Sequence, residues 1–114
     1  MMTTEKEPWS VWFANVRFSD GNGSKDRPVV VLNDNTVLCL CLPVTSKEKS
    51  RSLDYFKIRD HRSANLEKES WVKFELIELR PSDFRRQIGM LDDGDIFAIQ
   101  AWLMSRRYGQ FADI

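Results

Sequence analysis

The stretch Trp12-Phe13-Ala14-Asn15-Val16-Arg17-Phe18 runs into Ser19-Asp20-Gly21-Asn22-Gly23-Ser24-Lys25-Asp26 and then into Arg27-Pro28-Val29-Val30-Val31-Leu32. Trp12, Ala14, Val16 and Phe18 share one side of a period of two, with Phe13, Asn15 and Arg17 on the other; this predicts a strand with one buried face. The segment from Ser19 to Asp26 is dense in turn formers and predicts a loop. From Pro28 to Leu32 the chain is apolar and mostly β-branched, as in a strand covered on both faces. A strand, a loop and a second strand with no helix between them open an antiparallel sheet.

Working outward, residues 33–35 predict a tight turn and Thr36 to Leu42 a second apolar strand, so the two strands form a hairpin. Pro43 is expected to end that strand. Residues 53–58 predict a further strand of mixed pattern, residues 60–69 a polar loop, and residues 71–79 one half-buried strand in which Val72, Phe74 and Leu76 alternate with Lys73 and Glu75. Pro81 and Ser82 are suited to opening a short helix with Phe84 and Ile88 at i, i+4, closed by Gly89. Asp92, Asp93 and Asp95 mark the start of a longer helix, where carboxylates favour the free N–H groups and the dipole. Ile96, Ile99 and Leu103, with Phe97, Ala101 and Met104, give it a broad apolar stripe. Arg106 and Arg107 fall in its last turn, and Gly109 follows as a stop. The expected fold is α+β and mainly β: a half-open antiparallel β-barrel with a C-terminal helix. The breadth of the helix stripe fits either a deep contact within the chain or a homodimer interface.

The 114 residues suit one domain, expected over 1–114 with 1–8 as a flexible N-terminal segment. That segment lacks the apolar run of a signal peptide, and no stretch approaches the roughly 20 apolar residues that cross a bilayer; a cytoplasmic protein without membrane contact is expected. Seventeen basic residues balance seventeen acidic ones. Any basic surface for nucleic acid is therefore local, and the candidate segments are Lys47, Lys49 and Arg51, and Arg80, Arg85 and Arg86. Cys39 and Cys41 share one face of a strand, a spacing that suits neither a mutual disulfide nor a zinc site, so they are expected as small buried hydrophobes. A single histidine, His61, cannot build a metal site alone. No metal and no cofactor are expected.

Phe18 to Leu32, with its aromatic strand end, Gly/Ser loop, Arg27-Pro28 and apolar strand, resembles the PemK/MazF toxin pattern. Val44-Thr45-Ser46 after the second apolar strand resembles the Ile-Thr-Ser segment of that family. Ser70-Trp71-Val72-Lys73 and Ile88-Gly89-Met90-Leu91 match its later landmarks in order. The resemblance spans roughly Trp9 to Leu103; four landmarks in the right order carry more weight than any one of them. It implies an SH3-like barrel, a homodimer, metal-independent and sequence-selective cleavage of single-stranded RNA, and a cognate antitoxin protein as partner. A catalytically weakened RNA- or antitoxin-binding member, and a gyrase-poisoning toxin of the same barrel, stand as alternatives because fold does not fix function.

Metal-free RNA cleavage needs a base for the 2′-hydroxyl, an acid for the leaving 5′-oxygen and positive charge for the phosphorane. Taken alone, Arg27 is a solvated arginine before a proline; with the resemblance it becomes the group that holds the phosphate and stabilises the transition state. Thr45 and Ser46 offer hydroxyls beside it, and each is equally a turn or cap residue on its own. In some members of the family a catalytic arginine stands where this chain has Glu78; Arg80, two residues on, would share its strand face and is the expected substitute. Arg27, Thr45 and Arg80 are thus the expected catalytic residues. Asp20, Lys25, Ser46, Lys47, Lys49 and Lys73 are the expected RNA contacts. Asp20 and Asp26 serve either as a base or as turn formers. Phe13 and Trp71 are the aromatics best suited to stacking on unpaired bases, with packing as the alternative for both.

Overall fold

The computed structural model describes residues 5–18, 21–48 and 52–111, with side chains described as far as Arg106. Seven strands and one helix follow in chain order: β1 (Ser10–Arg17), β2 (Ser24–Asp34), β3 (Cys39–Thr45), β4 (Tyr55–Lys57), β5 (Trp71–Lys73), β6 (Ile77–Leu79), β7 (Phe84–Met90) and α1 (Asp93–Phe111). All pairings are antiparallel, in the order β4-β5-β3-β2-β1-β7, with β6 also bonded to β3. The sheet coils but β4 and β7 do not meet, so the barrel is half-open, as expected for this α+β, mainly β chain.

The alternation in β1 sends Val11 to one side and Ala14 and Val16 to the other, with a register shift between Val11 and Trp12 in the pairing to β7. Two apolar clusters result. Val11, Val30, Leu42, Val44 and Val72 pack with Ile58, Ala64 and Leu66 of the loop after β4, and with Leu91 and Ile99. Ala14, Val16, Val29, Val31, Cys39, Cys41 and Leu79 fill the opposite face. The unbroken Val29-Val30-Val31 run is thus explained: each face of β2 supports a core. Cys39 and Cys41 are buried free thiols with Sγ atoms 3.6 Å apart. A hydrogen bond to Cys39, followed by burial, pushes the Cys41 thiol up, so it stays protonated.

Five local expectations are corrected. The predicted helix over Phe84 and Ile88 is instead β7, preceded by one 3-10 turn at Pro81–Asp83. Phe84 and Ile88 also fit a period of two, and hydrogen bonding to β1 settles the ambiguity in favour of strand. The single strand predicted over residues 71–79 is broken into β5 and β6, because these pair with opposite ends of β3. Pro43 does not end β3 but lies inside it, between Cys39–Cys41, which bond β6, and Val44 and Thr45, which bond β5. At that gap a residue without an N–H costs the outer ladder nothing. The turn predicted at residues 33–35 moves on to Asn35–Leu38, where the Asn35 side chain accepts from the N–H groups of Val37 and Leu38, and β3 starts only at Cys39. Ser24, Lys25 and Asp26 belong to β2 rather than to the loop, which closes with Phe18 N–H donating to Gly23 O.

Helix α1 begins as its acidic residues predict. Asp92 caps it by accepting from Gly94 N–H at 2.9 Å. Asp95, fully buried, accepts from the backbone N–H groups of Arg59 and Asp60 at 2.8 and 2.9 Å and so ties the loop after β4 to the helix. Ile96, Ile99, Trp102 and Leu103 face the first cluster, while Phe97 and Met104 on the other side of the stripe are 74% and 58% exposed. Arg106 lies over the Phe74 ring at 4.4 Å and donates to Leu53 O and Asp54 Oδ1, pinning the helix to the segment before β4. Among the described residues of the N-terminal segment, Lys6 donates from its backbone to Asp34 Oδ2 and rests its ammonium over Phe84 at 4.3 Å. Among the described residues no helix is long and apolar enough to cross a membrane.

Candidate functional site

A cleft of about 570 Å³ opens where the β1–β2 hairpin meets the C-terminal end of β3. Its position follows from the ladder. The last paired residues of β2 and β3 at this end are Val29 and Pro43. Arg27 lies two residues beyond Val29 and Thr45 two residues beyond Pro43, past the last bond between the two strands, and both line the cleft.

Among the described residues, Arg17, Lys25, Arg27, Lys47 and Lys73 contribute five cations to the cleft, against two carboxylates, Asp26 and Glu75. Both carboxylates are already engaged. Asp26 accepts from Asn15 Nδ2 at 3.1 Å and pairs with Arg85 at 3.4 Å; Glu75 pairs with Lys73 at 3.3 Å. Lys25, Lys47 and Arg17 have no ion-pair partner among the described residues. The balanced charge of the chain therefore conceals a local basic surplus, the condition under which an anion is attracted. Arg27 is half-buried, and its Nε is enclosed with no hydrogen-bond partner. An enclosed guanidinium N–H without an acceptor is costly unless an acceptor is supplied, and a phosphate oxygen is a strong one. Thr45 accepts from the backbone N–H of Lys47 at 3.2 Å, which orients its oxygen and leaves its hydroxyl proton to donate.

Of the residues expected from sequence, Arg27, Thr45, Lys25, Ser46, Lys47 and Lys73 come together in this cleft. Asp20 and Lys49 lie outside the described residues, as does Arg51. Arg80 is not brought in. It follows β6, whose Leu79 pairs with Cys39 at the far end of β3, six residues and so about 20 Å along the strand from Thr45. Its backbone N–H donates to Asp83 Oδ2 in the 3-10 turn. Glu78, paired with Leu40, is remote for the same reason. Trp71 is 4% exposed and paired with Thr45, so it is core and not a stacking surface. Phe13 is half-buried and lines the cleft, with the Arg86 guanidinium over its ring at 5.0 Å. His61 places Nδ1 2.9 Å from Leu66 O in the loop after β4 and lines neither this cleft nor its neighbour.

Three polar residues of the cleft were not among the expected site residues: Arg17, Tyr55 and Glu75. Arg17 carried a signal, since it shares a strand face with Phe13. Glu75 gave none, because its position depends on the break between β5 and β6. Among the described residues no group of three or more His, Cys, Asp or Glu side chains is gathered as metal ligands would be.

A second cleft, of about 600 Å³, lies across a rim formed by Phe13, Pro28 and Ser46, which line both. Asn65, Leu66, Glu67, Lys68, Ser70, Arg86 and Ile88 complete it. The family model for the PemK-like, MazF-like toxin of type II toxin-antitoxin systems matches residues 7–105. No curated protein matches the chain.

Proposed function

The chain belongs to the PemK-like, MazF-like toxins of type II toxin-antitoxin systems, and from that premise we propose that it is an endoribonuclease that cuts single-stranded RNA at the cleft of Arg27 and Thr45. Membership implies an antitoxin as partner. In the proposed reaction the 2′-oxygen attacks the adjacent phosphorus, its proton passes to a base, the P–O5′ bond breaks, and the 5′-oxygen takes a proton. The products are a 2′,3′-cyclic phosphate and a 5′-hydroxyl. RNA supplies its own nucleophile, so the reaction requires no metal to generate one.

The observation that supports this reading is that Arg27 and Thr45 line one cleft together with four further cations among the described residues. The unpartnered Nε of Arg27 supports a role in holding the scissile phosphate and countering the charge of the phosphorane. The Thr45 hydroxyl is suited to donate to a phosphate oxygen, and Lys25, Ser46, Lys47 and Lys73 to contact the flanking backbone. Among the described carboxylates of the cleft, Asp26 has both oxygens engaged, whereas Glu75 meets Lys73 through Oε2 alone and is the better suited to take a proton. A homodimer and a cytoplasmic setting belong to the same proposal.

The test uses purified protein and a long single-stranded RNA with a chelator present, beside Arg27→Ala. Cutting at defined short sequences, absent in the variant, is the expected result. Intact RNA with the unaltered chain across varied substrates would overturn the enzymatic reading.

A further inference from the structure

Resting on the ribonuclease reading, we infer that the second cleft is a base-reading subsite: it seats the base of a nucleotide beside the cut phosphate, stacked on Phe13 and read by Glu67 and Asn65. The two clefts share Phe13, Pro28 and Ser46, so a strand held at Arg27 passes into the second cleft by crossing one rim. Each volume lies in the range of small-ligand sites. The first cleft is furnished for phosphate. The second has a different character: an aromatic ring, the apolar walls of Pro28, Leu66 and Ile88, and a few polar groups. That is how sites for unpaired bases are built.

Lys68 and Arg86 bring donors to the cleft for a phosphate or a base oxygen, while Asn65 and Glu67 bring acceptors, and it is these two that select for a base edge. The Asn65 amide nitrogen donates to Ile88 O at 3.0 Å, which fixes the amide and leaves its oxygen as an acceptor. The exposed Glu67 carboxylate has no ion-pair partner among the described residues and adds two more acceptors. Acceptors select a base edge that carries N–H donors. Arg86 is exposed, rests on the Phe13 ring and has no ion pair among the described residues; a base arriving on that ring takes over its stacking surface, and the guanidinium then lies free to cover the base or meet its phosphate.

The wild-type chain, Glu67→Gln, Arg86→Ala and Arg27→Ala are each incubated with randomised single-stranded RNA, and the cut ends are sequenced. The same proteins select from a randomised 2′-O-methyl pool, which binds but has no nucleophile. Glu67 and Arg86 are exposed, so their variants fold, as a thermal scan checks. Expected is a loss of preference at one nucleotide position next to the cut in both variants, with the other positions keeping theirs; stacking and edge contacts of this kind correspond to roughly 5- to 100-fold. Arg27→Ala loses cutting at every sequence instead. An unchanged preference in both variants, or an equal loss at all positions, would overturn the subsite while leaving the ribonuclease standing. If the wild type cuts nothing, the ribonuclease reading fails and the 2′-O-methyl selection decides the subsite: preference lost at one position upholds it, and preference unchanged or no binding overturns it.

Discussion

Replacing Gly89 by alanine should destabilise the protein, although alanine is ordinarily the better residue inside a strand. A Cβ built on Gly89 lies 2.5 Å from the carbonyl oxygen of Ala64 and 2.8 Å from its carbonyl carbon. Both are backbone atoms, so no rotamer relieves the clash. Reaching an ordinary 3.4 Å contact moves the loop after β4 by 0.9 Å away from β7. Overpacking of this size costs about 1–3 kcal/mol. The same movement strains the Asn65–Ile88 bond at 3.0 Å, worth about 1 kcal/mol. Removing a glycine from the unfolded chain returns roughly 0.4–1 kcal/mol. The net loss is about 1–3 kcal/mol, or on the order of 4–12 °C in melting temperature for a chain of this size. Urea and thermal denaturation measure it. Because the obstacle is main chain, trimming the side chain with Ala64→Gly should give no rescue in the double variant. A melting temperature at or above wild type would refute the close approach of β7 to the loop. Rescue by Ala64→Gly would show that side-chain packing, not backbone contact, excludes a Cβ.

Asp95→Ala strands two backbone N–H groups, those of Arg59 and Asp60, and should cost about 2–4 kcal/mol by urea denaturation; a loss below about 0.5 kcal/mol, the level of an ordinary surface change, would mean that the loop does not depend on it. Burial raises the pKa of Asp34, but the N–H groups of Lys6 and Thr36 together with the Lys6 ammonium outweigh it and leave the carboxyl below its ordinary value. Its contribution is therefore present above about pH 4 and lost as pH falls through the folded pKa, so Asp34→Asn should be less stable than wild type at pH 7 and lose that difference near pH 2. Phe97→Gln on the exposed side of α1 should change monomer stability by less than about 0.5 kcal/mol; a lower association constant in sedimentation would identify that stripe as the homodimer face, and a large fall in intrinsic stability would contradict its exposure.

How far the sequence could be read depended on whether a pattern was local. The alternation in β1, the two-faced apolar run of β2 and the acidic start of α1 are set by each segment's own burial, and all three were legible. β7 was not, because Phe84, Ile88 and Gly89 fit two periods and only the pairing with β1 chooses between them. The same limit applied to the site. Arg27 and Thr45 were found because each stands at a strand end beside a recognisable landmark. Arg80 was drawn toward the site by the expectation of one continuous strand over residues 71–79, whereas the chain breaks after β5 and rejoins β3 at its other end. Glu75 stands at that break, and Tyr55 reaches the cleft through the pairing of β4 with Lys73 of β5.

Pro43 marks a seam in β3. On one side of it β6 is held by three paired residues; on the other β5 is held by two, with β4 outside it. The β4–β5 unit is anchored in the first cluster through Val72 but has few ladder bonds to β3, so its amides should exchange with solvent ahead of those in β1 and β2. Tyr55 and Lys73 lie on that unit and Glu75 just after it, whereas Arg27 lies on β2, bonded along its length to β1. Faster exchange in β4 and β5 would make the width that an incoming strand meets a population, set by whatever clamps that wall.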